Sequence, residues 1–211
     1  MTKFNITYLD KYFGIKMSVR SLRRVWVVIH GAAPPQGEIE NAQKIGDYLR
    51  SKLNIVRVLP ADSANLDLLT KLANVVTVGG PYANEWTFKL NEFMNPRWDM
   101  TVLRERTPEE TYRDWIVSGA LTVNGFLKNT TKFERKEIGS GIIGVGKQAA
   151  LRARPLRVVH IGGSGYCDTC AMGEAFRADA GAGVYDTGCK VDTPYEEPCP
   201  IGALYTKIAD P

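Results

Sequence analysis

Histidine is nearly absent: His30 and His160 are the only two in 211 residues, which excludes any site built on a cluster of imidazoles. A Ser-His-Asp order, an H-E-x-x-H helix and a paired-carboxylate motif are missing too, and with them the usual signatures of a hydrolase. No Walker lysine follows a glycine turn. The G-x-G-x-x-G fingerprint is incomplete, because Gly163-Ser164-Gly165 meets its next glycine only at Gly173. No stretch approaches the roughly 20 apolar residues of a membrane span. The opening segment MTKFNITYLDKYFGIKM carries no continuous apolar run of signal-peptide length, so a soluble, unprocessed chain is expected and the compartment stays open.

A strong net charge is also lacking. The balance is +4, too mild to coat the whole surface for nucleic acid, but it is unevenly spread. Residues 1–24 hold Lys3, Lys11, Lys16, Arg20, Arg23 and Arg24 against Asp10 alone. Residues 179–211 hold Asp179, Asp186, Asp192, Glu196, Glu197 and Asp210 against Lys190 and Lys207. Ends of opposite sign suit pairing between neighbouring copies or with a protein partner, although exposed charges with no partner contribute little. Tyr8, Tyr12, Phe13 and Trp26 beside the basic end also suit stacking on bases, which keeps a nucleic-acid partner as a less favoured reading.

Apolar residues make up 44% of the chain, enough for a real core. VWVVIHG, NVVTVGG and VVHIGG are short apolar runs closed by glycine, the pattern of strands buried on both faces, and IVRVLP is a further strand run stopped by Pro60. Between them, EIENAQKIGDYLRSKL places Ile39, Ala42, Ile45, Leu49 and Leu53 at helical spacing, and ANLDLLTKLA, NEWTFKLNEFM and DTCAMGEAFRA read as further helices. The alternation predicts an α/β fold, a mostly parallel doubly wound, Rossmann-like sheet over residues 25–178. Residues 96–136 interrupt it with an antiparallel insertion, where Asn124-Gly125 reads as a tight hairpin turn. A basic arm (1–24) precedes this body and a loop-rich tail (179–211) follows it.

Three turns share one plan of strand, glycine and helix, and in open parallel sheets such carboxyl ends line the ligand crevice. Candidate ligand-binding residues are therefore His30 and Gly31, Gly79 and Gly80, and His160, Gly162, Gly163 and Ser164. Both histidines end a strand beside glycine. Facing one crevice, they would share a metal or serve as acid and base in a small-molecule or nucleotide enzyme.

NVVTVGGPYANEWTFKLNEF resembles the strand, Gly-Gly-Pro-x-x-Asn turn and helix of archaeal S-layer and related surface proteins. IGSGIIGVGKQAALRARPLRVVHIGGSGYCDTCAMGEAF is similar to the hairpin, glycine turn and small-residue helix of the same family. The resemblance implies a structural, self-associating module with no catalytic residues to carry over. On this reading the chain is a non-enzymatic assembly module.

Cysteine is sparse, and all four lie in the last quarter: Cys167, Cys170, Cys189 and Cys199. Two disulfides fit this spacing, each stabilising by on the order of 3 kcal/mol in the chain-entropy model. Four thiolates on zinc fit as well, since C-x2-C is the usual first half of a zinc knuckle, and a zinc-binding adaptor is a further alternative. A redox pair and buried thiols remain open alongside them. The leading expectation is that sulfur staples the tail to the body.

Overall fold

The computed structural model describes residues 13, 24–70, 72–91, 97–127, 158–163, 166–181 and 204–207. Among the described residues lie seven strands and five helices, mostly in alternation. They are β1 (Val25–His30), α1 (Gln36–Ser51), β2 (Ile55–Pro60), α2 (Leu66–Leu69), β3 (Asn74–Val78), α3 (Glu85–Leu90) and β4 (Arg97–Val102). The chain continues with α4 (Tyr112–Val117), β5 (Leu121–Leu127), β6 (Val158–Gly163), α5 (Tyr166–Gly181) and β7 (Leu204–Lys207).

Five strands form one sheet in the order β2-β1-β3-β6-β7, every neighbouring pair parallel. The four apolar runs named above are four of these strands. β1, β3 and β6 are buried at every residue because both sheet faces are covered, so each strand needs an unbroken apolar run. On one face Val25, Val27, Ile29, Val75 and Val158 pack against Leu66 and Leu69 of α2 and Trp86 and Leu90 of α3. On the other, Trp26, Val28, Val76, Val78, Val159 and Ile161 pack against Ala42, Ile45 and Leu49 of α1 and Met172 and Phe176 of α5.

Within the tail expected to be loop-rich, Leu204–Lys207 forms the fifth strand, beside β6. Backbone pairing is therefore one anchor of the C-terminal segment. β4 and β5 form a separate antiparallel ribbon, as expected for the insertion. Its interior differs: a helix, α4, lies between the two strands, and Asn124-Gly125 is not a turn. Asp99 pairs with Gly125 and Met100 with Val123, so Asn124 is the extra residue of a bulge that increases the twist of the ribbon.

The ribbon is fastened to the body by side chains. Phe88 of α3 meets Trp115 edge-on at 5.4 Å, the Tyr112 hydroxyl donates to the Pro81 carbonyl, and Arg106 pairs with Glu85 at 3.2 Å. No described helix is long and apolar enough to cross a membrane.

Candidate functional site

Strand order reverses between β1 and β3, because β1 leads to β2 on one side while β3 lies on the other. Crevices open at such reversals, beyond the carboxyl ends of the strands. Here that edge is lined by Gly31 after β1, Gly79 and Gly80 after β3, and Gly162 and Gly163 ending β6. Ser164 lies outside the described residues.

Asn84, the last residue of the Gly-Gly-Pro-x-x-Asn turn, spans the reversal. Its buried amide donates to the carbonyl of Ile29 in β1 and to that of Val78 in β3, both at 2.8 Å. Its side-chain oxygen accepts from the Trp86 backbone N–H at 2.9 Å and so caps α3. Thr87 of the same helix donates to the Gly79 carbonyl at 2.7 Å. One side chain thus joins two strand ends and a helix start.

The space left by the missing glycine side chains is taken up by the protein's own atoms. A Cβ on Gly31 would fall 2.2 Å from the Ala83 carbonyl oxygen, one on Gly79 2.7 Å from a Glu38 carboxyl oxygen, and one on Gly162 2.5 Å from the His160 ring. Gly80 is roomier, with the Gly163 carbonyl oxygen at 3.8 Å and the Trp98 ring at 3.9 Å. Gly79 has in addition a φ of +97°, which side-chain-bearing residues rarely adopt. The glycines serve close approach of the chain to itself.

The two histidines do not meet. Ile29, Thr77 and His160 are register partners across β1, β3 and β6, and His30 lies one residue on from Ile29. Successive side chains point to opposite faces, so His30 and His160 occupy opposite faces of the sheet. A shared metal or an acid-base pair between them is ruled out by this register. His30 is buried, and its Nδ1 donates to the Gly31 carbonyl at 2.7 Å.

His160 is fully enclosed. Trp98 donates its indole N–H to Nε2 at 3.0 Å, which leaves the ring proton on Nδ1, 3.0 Å from the Thr77 hydroxyl. Burial holds its pKa down at about 3, so the imidazole is neutral and both its nitrogens are engaged. Trp98 is itself placed by Asn91, which donates to the Trp98 carbonyl and accepts from its N–H, each at 2.8 Å. The polar chain from Asn91 through Trp98 to His160 and Thr77 joins the ribbon to the middle of the sheet.

Glu38, in the first turn of α1, is the remaining polar group of the edge. It is only 3% exposed, and its Oε1 has no hydrogen-bond partner among the described residues. Burial lifts its pKa to about 7, while the Gly31 backbone hydrogen bond pulls the other way. Glu38 precedes Ala42, Ile45 and Leu49 by four, seven and eleven residues, on the helix stripe that faces the core. Ile39, expected there, is only partly buried, and Leu53 is exposed beyond the helix end.

Among the described residues no three His, Cys, Asp or Glu side chains gather as metal ligands. Cys170, on α5, has its Sγ 3.9 Å from the Gly37 carbonyl oxygen of α1. Cys189, Cys199 and the side chain of Cys167 lie outside the described residues, and the disulfide and zinc expectations fall there with them. Trp26 is buried against α1 and α5, which removes it from the aromatic set suited to stacking on bases. No family model, curated protein or solved structure matches the chain.

Proposed function

We propose that the chain is a non-enzymatic structural module that assembles with copies of itself or docks to a surface partner. Its body would be a Rossmann-like doubly wound sheet whose tail is held by cysteine chemistry as well as by β7. The observation that carries this reading is the filled carboxyl edge: Asn84 ties the strand ends together, and Glu38, Ala83 and His160 occupy the space at the glycines. A small-molecule enzyme would need that space for its ligand. The opposite charges of the two chain ends and the likeness of the Gly-Gly-Pro-x-x-Asn segment to archaeal surface proteins support the same reading.

Light scattering across protein and salt concentration tests it. The apparent mass is expected to rise with concentration at low salt and to fall as salt screens the exposed charges, whose reach is about 10 Å at 0.1 M. A strict monomer at high concentration and low salt would overturn the reading. The ribbon also offers exposed apolar side chains, Leu103 and Val117, beside the contact between Arg104 and Ser118. Leu103→Ser combined with Val117→Ser is expected to weaken association while leaving unfolding within about 0.5 kcal/mol of wild type, as surface changes do. Sedimentation and thermal melts check the two halves of that expectation.

A further inference from the structure

Glu38 is a buried carboxyl with no acidic or basic side chain paired to it among the described residues, set where three segments meet. α1 carries it, the Gly31 amide after β1 bonds it, and its oxygen rests against the positive-φ Gly79 after β3. Such a group is tolerated neutral and is costly as an anion, because the one Gly31 N–H does not replace the water that an ion would keep. We propose that Glu38 is a proton-operated latch: protonated, it holds the first turn of α1 against the Gly79 turn, and deprotonated, it unseats and opens the carboxyl edge of the sheet.

The groups around it do not supply a counter-charge. The β1 end carries His30, whose Nδ1 is committed to the Gly31 carbonyl. The β3 turn, Gly79-Gly80, brings no titratable side chain. From α5 comes the Tyr166 hydroxyl, lying against Gly37. On α1 itself Glu40 is exposed and accepts from Gln36 at 3.4 Å. Among the described residues no cationic side chain is paired with Glu38, and its charge state is left to the pH. The inference stands apart from the assembly reading, since opening is read on the single chain.

The test compares the full chain with Glu38→Gln, a neutral amide of the same shape. The folded pKa, about 7, lies above the unfolded 4.5, so folded chains hold an extra proton between those values and stability is lost as the pH rises through them. The wild-type unfolding constant, divided by that of the variant, is expected to grow on the order of 10²-fold from pH 4.5 to above 7. A flat ratio would overturn the latch. Two measurements on wild type alone keep the proposal testable should the variant fold poorly. The Glu38 carboxyl carbon resonance is expected to titrate near 7, and amide exchange in segments 31–42 and 79–84 is expected to accelerate above that pH relative to α5. A midpoint near 4.5 overturns the proposal, and so does a midpoint near 7 with the turns exchanging in step with α5.

Discussion

His160→Ala is expected to destabilise the fold by about 4 kcal/mol, a large share of the 5–15 kcal/mol typical of a domain. Two effects add. The substitution empties a fully enclosed ring position, and large-to-alanine changes in cores cost about 2–5 kcal/mol. It also strands the Trp98 indole N–H and removes the Nδ1–H that donates to the Thr77 hydroxyl, and an orphaned buried polar group costs about 1–3 kcal/mol. Chemical denaturation measures the loss. A change below about 1 kcal/mol would mean that the Asn91-Trp98-His160-Thr77 chain does not fasten the ribbon to the sheet.

The same residue predicts a pH signature that wild type conceals. The folded pKa of His160, about 3, lies below its ordinary 6.5, so unfolded chains bind the extra proton and stability falls as the pH drops from 6.5 toward 3. Glu38 has the opposite slope between 4.5 and about 7. Over pH 4.5–6.5 the two slopes, each up to about 1.4 kcal/mol per pH unit, oppose one another. Wild type is expected to be nearly flat in that window. Glu38→Gln leaves the histidine slope alone and should gain stability as the pH rises; His160→Ala leaves the glutamate slope and should lose it. Melting curves of the three proteins at pH 5.0 and 6.5 decide the matter.

Much of the body was legible because burial on both faces writes a strand as an unbroken apolar run. VWVVIH, NVVTV and VVHIGG are such runs and each is a strand, while IVRVLP, the strand at the β2 end of the sheet, keeps Arg57 exposed and was marked by its Pro60 stop. β7 is four residues, LYTK, within a Gly- and Pro-rich tail, too short for a period to show. Asn124-Gly125 carries the residue types of a hairpin turn, yet these residues suit a bulge equally, and the choice depends on β4, which lies more than twenty residues away. The faces of His30 and His160 follow from inter-strand register, a tertiary property that neither local segment contains. Glu38 was within reach: its spacing to Ala42, Ile45 and Leu49 puts a carboxyl on an apolar stripe, a conflict between pattern and chemistry that marks a special environment.

Asn84→Ala is the companion test of the carboxyl edge, and it is expected to cost about 3 kcal/mol. The alanine leaves the Ile29 and Val78 carbonyls without the amide that joins β1 to β3, and buried unsatisfied groups cost about 1–3 kcal/mol each before water relieves them. It also uncaps α3, typically worth about 1 kcal/mol. Asn84→Asp separates these contributions. Its carboxylate still accepts from the Trp86 N–H, but it has no hydrogen to donate and sets negative charge against two carbonyl oxygens. The aspartate variant is therefore expected to be no more stable than the alanine at neutral pH, whereas a purely capping residue would be rescued by it, since aspartate is among the best N-caps. Rescue by aspartate would reduce the Gly-Gly-Pro-x-x-Asn turn to an ordinary helix start. Failure of rescue would identify it as the clasp that closes the sheet where a ligand would otherwise enter.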